Sequence, residues 1–115
     1  MLGDSITHGF GGTGFAPCGE KIVGNFYRNP SGHCWAKTFK DFMEEHYNCE
    51  VNNNGCTGVA IEFLIEHWDT LVADEDDIII CTIGTNNRHV YFGSVNGQKP
   101  TKEEVFLTFY NNIVI

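Results

Sequence analysis

A chain of 115 residues, 42% hydrophobic and 19% charged, has the length of one small domain and is too short for two. Nine Phe, four Tyr and two Trp supply enough bulk for a buried core, which excludes disorder as a description of the whole. Fifteen acidic residues against seven basic ones give a formal charge of −8, which excludes nucleic acid and anionic membrane surfaces as partners and leaves neutral or cationic small substrates open.

In chain order, Met1-Leu2 reads as the stub of a first strand, and residues 8–30 as a long polar loop rich in Gly, Asn and Pro. Between Ser31 and His46 the apolar positions Trp35, Phe39, Phe42 and Met43 recur at helical spacing, with Ser31 as the candidate cap. Cys49 to Asn53 is a short strand ending in an Asn/Gly turn. A second helix is predicted from Val59 to Leu71, burying Val59, Ala60, Phe63, Leu64, Trp68 and Leu71. The acidic run Asp74-Glu75-Asp76-Asp77 leads into Ile78-Ile79-Ile80-Cys81-Thr82-Ile83, a β-branched stretch that predicts a strand covered on both faces. Thr101 with Glu104 three residues on is a capping box. Val105, Phe106, Phe109, Tyr110, Ile113 and Val114 then share one helical face, a pattern still running at Ile115.

This alternation of strands and helices predicts an α/β fold with right-handed βαβ units and a parallel sheet. Ligands of such sheets bind at the carboxyl ends of the strands. The unusual segments around Ser5, Gly58 and Asn86 each follow a predicted strand, so the topology brings them to one edge.

Five cysteines (Cys18, Cys34, Cys49, Cys56 and Cys81) are odd in number and lack C-x-x-C spacing, which predicts reduced thiols and a cytoplasmic protein. The five histidines form no zinc-binding spacing, no stretch is apolar enough to span a bilayer, and no signal peptide is expected.

Three segments carry chemistry. In Gly3-Asp4-Ser5-Ile6-Thr7 a glycine before the serine lets the backbone bend out of the strand and leaves the hydroxyl exposed, ready for activation by a base; Asp and Ser here are also ordinary helix caps. In Asn53-Asn54-Gly55-Cys56-Thr57-Gly58 a glycine between strand and helix permits close backbone approach to a ligand. The first N–H groups of the helix are then free to face an anion; the plainer reading is an Asn/Gly turn. In Ile83-Gly84-Thr85-Asn86-Asn87 an Asn at a strand end can donate its amide N–H to a developing oxyanion.

Together these segments resemble the first three motif blocks of the SGNH (GDSL-type) hydrolases, in the family's order. G-D-S matches Gly3-Asp4-Ser5, the N-x-x-x-x-G block ends on Gly58, and G-x-N matches Gly84-Thr85-Asn86. The resemblance covers essentially the whole chain. It implies a flavodoxin-like three-layer α/β/α fold with Ser5 as nucleophile and Asp4 supporting the turn. The oxyanion hole would combine the backbone N–H groups of Ser5 and Gly58 with the Asn86 amide. The implied reaction is acyl transfer: Ser5 attacks an ester carbonyl, an acyl-enzyme forms, and water releases the acid, with no metal or organic cofactor.

Two departures stand out. Asn87 occupies a position that is often Asp in the family, which puts a local hydrogen bond in doubt. The family's base and orienting acid come from a late D-x-x-H, and neither D-x-x-H nor E-x-x-H occurs in the 115 residues. Truncation in the first strand and at the carboxyl end is therefore expected, with about two βα units of roughly 30 residues each lying beyond. Alone, the fragment is expected to be inactive. His8 and His89 fall near the site without an evident carboxylate partner, and Arg88 and His89 are candidates for substrate contact. Phe10, Phe15, Phe26, Tyr27, Tyr91 and Phe92 suggest a sugar-stacking surface, hence a carbohydrate O-acyl substrate. The alternatives are a non-catalytic carbohydrate- or ligand-binding protein on the same fold, and a dinucleotide site at Gly9-Phe10-Gly11-Gly12-Thr13-Gly14, which lacks the flanking strand and helix.

Overall fold

The structure, a computed structural model, describes residues 1–87 together with the helical positions Glu103 and Leu107. The rest of the helix predicted from Thr101 to Ile115, and the candidates Arg88, His89, Tyr91 and Phe92, lie outside the described residues.

The fold is mixed α/β, as the alternation predicts. A parallel sheet is centred on β1 (Leu2–Gly3), flanked by β4 (Asn54–Gly55) and β5 (Cys81–Thr82). Leu2 lies opposite Asn54 on one side and Cys81 on the other. The ladder is extended by Asn54 N–H donating to the Met1 carbonyl at 2.9 Å and Leu2 N–H to the Ile80 carbonyl at 2.8 Å. Each strand is short because β1 offers only two paired residues.

Between β1 and β4 the loop predicted to lack regular structure contains an antiparallel hairpin, β2 (Lys21–Val23) with β3 (Phe26–Tyr27). Its signal was present: Gly24-Asn25 between β-branched and aromatic residues is a hairpin turn pattern. The Gly9–Gly14 stretch folds into consecutive turns, Gly12 N–H to the Gly9 carbonyl and Phe15 N–H to the Gly12 carbonyl, and leads to a bridge between Ala16 and Ser31. It follows a helix rather than a strand, so the dinucleotide alternative lacks its required context.

Helix α2 (Trp35–His46) begins three residues later than a cap at Ser31 predicts. Its cap is Cys34, whose Sγ accepts from Lys37 N–H at 3.4 Å, while the Ser31 hydroxyl donates to the Gly14 carbonyl at 2.8 Å. Phe42 lies off the inward face, 51% exposed and stacked on His46. The predicted Val59–Leu71 helix is two helices, α3 (Ile61–Glu66) and α4 (Trp68–Leu71), broken at His67, whose backbone leaves helical geometry at ψ 20°.

The core joins sheet to helices: Leu2, Cys56, Val59, Leu64 and Leu71 are buried, with Phe26, Phe63, Trp68 and Ile83 packed against them. Among the described residues the Ile78–Ile83 run does not form the doubly covered strand expected. Only Cys81 and Thr82 pair with β1, both of them exposed, and Ile78 is 81% exposed.

Candidate active site

Ser5 opens α1 (Ser5–His8), a single turn leaving the carboxyl end of β1. Asp4 caps that turn: its carboxylate accepts from Ile6 N–H at 3.0 Å, and the residue is 2% exposed. Ser5 thus stands half-buried at the amino end of the turn. The role of Gly3 differs from the expected bend. It is needed for close packing, since a Cβ there would lie 2.2 Å from Thr7 Oγ1 and 2.7 Å from the Thr82 carbonyl oxygen. Thr7, fully buried, shares a short hydroxyl–hydroxyl hydrogen bond with Thr82, tying α1 to β5.

On its other side α1 lies against β4. A Cβ on Gly55 would meet the backbone of Thr7 and His8. Asn53, 2% exposed, donates Nδ2–H to the Thr7 carbonyl at 2.8 Å and accepts from Gly55 N–H at 3.0 Å. This side chain satisfies a carbonyl that a one-turn helix leaves without an internal partner. Asn54 donates to the Leu71 carbonyl at 2.7 Å and accepts from Arg28 Nε–H at 3.1 Å. The Asn-rich segment is therefore a set of buried clamps rather than a surface turn.

After β4 the chain turns through Thr57 and Gly58. Gly58 has φ +80°, a left-handed conformation that favours glycine, and nothing lies within 4 Å of where a Cβ would be. Its backbone is exposed and approachable. Of the N–H groups that open α3, that of Ile61 is bonded to Asn87 Oδ1 at 3.1 Å and that of Phe63 to the Ala60 carbonyl.

Asn86 sits in a 3-10 turn (Thr85–Asn87) just past β5 and donates Nδ2–H to the Val59 carbonyl at 2.9 Å. A primary amide has two N–H groups, so this bond leaves one for another acceptor. Asn87 makes local bonds of its own, to Ile61 and to Glu62, where the departure from Asp had put such a bond in doubt.

His8 is 6% exposed, with Nδ1 2.6 Å from Thr57 Oγ1 and its ring edge-on to Phe15 and Phe26. Burial holds its pKa below the usual histidine range, which favours the neutral ring. It bolts α1 to the Gly58 turn; sequence reasoning placed it near the site and missed this link, whose partner is 49 residues away. Among the described residues no histidine hydrogen-bonds the Ser5 hydroxyl: His8 is on Thr57, and His46 is on the Phe42 carbonyl.

The segments carrying Ser5, Gly58 and Asn86 thus leave the carboxyl ends of three adjacent parallel strands, with His8 bonded to Thr57 and Asn86 to the Val59 carbonyl across the edge. A cavity of about 660 Å³ lies at the opposite end, between the amino ends of the strands, lined by Met1, Arg28, Asn52 and Ile80 among others, and is separate from this edge. Among the described residues no group of three His, Cys, Asp or Glu could hold a metal ion, and no helix is long and apolar enough to cross a membrane. Comparison of the chain with protein-family models, curated proteins and solved structures gave no match.

Proposed function

We propose that this chain carries the nucleophile and oxyanion donors of a serine ester hydrolase of the SGNH type. The observation that carries the reading is the convergence of Ser5, Gly58 and Asn86 at one sheet edge, with the Asn86 amide bonded beside Gly58. The order β4-β1-β5, with the first strand central, also suits a flavodoxin-like sheet.

In the reaction, the Ser5 oxygen attacks the ester carbonyl and its proton passes to a base. The negative charge that develops on the carbonyl oxygen is met by the backbone N–H groups of Ser5 and Gly58 and the free N–H of Asn86. Expulsion of the alcohol leaves an acyl-Ser5 ester, which water hydrolyses to the acid. The substrate is a neutral acyl ester, with a carbohydrate O-acyl group favoured by the exposed Phe10 edge-on to Phe15. The reading requires an Asp-x-x-His in the same polypeptide outside these 115 residues.

The test is to read the gene past the codon for Ile115 and assay its product on an aryl acetate with and without Ser5→Ala. Hydrolysis that falls by roughly four orders of magnitude or more in the variant is the expected result. Hydrolysis indifferent to Ser5 would sink the proposal. It would favour a second reading, a non-catalytic ligand-binding protein on this fold.

A further inference from the structure

The two segments that would present the oxyanion donors are fastened together by Asn87, the residue that follows the Gly84-Thr85-Asn86 match. Asn87 is 1% exposed, and its side chain is fully engaged. Oδ1 accepts from Ile61 N–H at 3.1 Å, and Nδ2 donates to both carboxylate oxygens of Glu62, at 3.2 and 2.9 Å. The amide fits only one way round. Turned over, it would set an NH2 against an N–H and an oxygen against a carboxylate.

Ile61 and Glu62 open α3, which directly follows the Gly58 turn. Asn86, next to Asn87, holds the Val59 carbonyl in the same stretch. The backbone N–H of Asn87 closes its own turn on the Gly84 carbonyl at 3.0 Å. Segments 58–62 and 84–87 therefore form one hydrogen-bonded strap, with Asn87 as its buried pin.

We propose that Asn87, with Glu62 as its partner, is a positioning residue that fixes the Asn86 amide relative to the Gly58 N–H. This rests on the ester-hydrolase reading of Ser5, Gly58 and Asn86. Asn87 acts through Asn86 and the first turn of α3. The chemistry of the pair explains why an amide suits this position. An Asp would keep the Ile61 bond but would face the Glu62 carboxylate at hydrogen-bond distance, where two carboxylates must share a proton or separate. Asn87→Asp should therefore loosen the strap at high pH. Adding Glu62→Gln restores a donor–acceptor pair with the polarity reversed.

The experiment compares the parent, Asn87→Asp, Glu62→Gln and the double variant in the complete gene product. It reads Ser5-dependent aryl-acetate hydrolysis, resolved into kcat and KM against pH, and amide hydrogen exchange at Gly58, Val59 and Ile61. For Asn87→Asp we expect kcat to fall about 10- to 100-fold at pH 8 with KM within about threefold, since one misplaced oxyanion donor costs on the order of 10²–10³. The loss should shrink toward pH 5, and Ile61 and Gly58 should exchange faster than in the parent. The double variant should return to within about threefold of the parent at each pH, with Glu62→Gln alone close to the parent.

Parent-like kcat and exchange in Asn87→Asp would overturn the proposal, and so would a double variant no better than Asn87→Asp. If Asn87→Asp fails to fold, a folded double variant supports the pairing and an unfolded one overturns it. If the parent shows no Ser5-dependent hydrolysis, the ester-hydrolase reading fails, and the exchange pattern alone decides whether Asn87 and Glu62 pin the strap.

Discussion

Gly55→Ala is expected to damage this protein far more than the addition of one methyl group suggests. A Cβ at position 55 would stand 2.5 Å from the His8 amide nitrogen, 2.8 Å from His8 Cα and 2.9 Å from the Thr7 carbonyl carbon. All three are backbone atoms of α1, so no side-chain rotation relieves the collision. Non-bonded carbon atoms settle at about 3.5–4.0 Å, so α1 must retreat by about 1 Å. Yet α1 is held from both flanks, by Asn53 on the Thr7 carbonyl and by the Thr7–Thr82 hydroxyl pair. Overpacking costs about 1–3 kcal/mol, and a collision with backbone belongs at the upper end, ~3 kcal/mol. In a domain of this size that lowers Tm by on the order of 10 °C. On the proposed reading of Ser5 as nucleophile, a displacement of α1 by about 1 Å should also lower hydrolysis roughly 100-fold. The assay is urea unfolding followed by the fluorescence of Trp35 and Trp68, beside a Gly24→Ala control. Gly24 has nothing within 4 Å of its Cβ position and φ +54°, so the control should lose only about 1 kcal/mol, the ordinary penalty of left-handed backbone. A Gly55→Ala unfolding free energy within about 0.5 kcal/mol of the parent's would refute the packing of α1 on β4.

Two further outcomes are expected. Burial holds His8 below the usual histidine range, so on acidification the unfolded chain takes up this proton before the folded one does. The contribution is fully present above about pH 6.5 and is lost as pH falls from there toward the depressed folded value; His8→Gln, which keeps a partner for Thr57, should lose less stability between pH 7.5 and 5.5 than the parent. Identical pH dependence in the two would remove His8 from the account. Cys56 is buried with its thiol pushed up to about 12 by desolvation, whereas Cys18 and Cys49 are exposed. At pH 8 about one Cys56 in ten thousand is thiolate, so Ellman's reagent should modify Cys18 and Cys49 in the native protein and reach Cys56 only on unfolding. Peptide mapping that finds Cys56 modified early would contradict the burial.

The sequence showed which segments meet at the sheet edge better than what holds them together. Ser5, Gly58 and Asn86 were legible because each is a local pattern following a strand, and parallel topology brings strand ends together whatever lies between. The fasteners were not legible. His8 meets Thr57 across 49 positions and Asn87 meets Glu62 across 25, and no short-range rule pairs such residues. The run Ile78–Ile83 misled because apolar content reports what a segment can bury, and the described elements leave Ile78 exposed. The split of α3 from α4 at His67 had no Gly or Pro to announce it. The hairpin within residues 8–30 did have a signal, in Gly24-Asn25 between Val23 and Phe26, which the polar composition around it obscured.

The clamp at Asn54 also bears on how the molecule ages. Asn followed by Gly is the pairing most prone to deamidation, in which the next residue's amide nitrogen attacks the side-chain carbonyl carbon, ammonia leaves, and the resulting succinimide hydrolyses to Asp or isoAsp. In the folded chain both participants at Asn54-Gly55 are occupied: the Asn54 amide is donated to the Leu71 carbonyl, and the Gly55 N–H to Asn53 Oδ1. The strand must open before the chemistry can begin. Once it has occurred, the new carboxylate has no N–H to give Leu71, so the clamp cannot re-form. Each opening of β4 therefore carries a small chance of permanent damage, and the slow accumulation of the deamidated form is a chemical clock for how often the sheet beneath Ser5 comes apart.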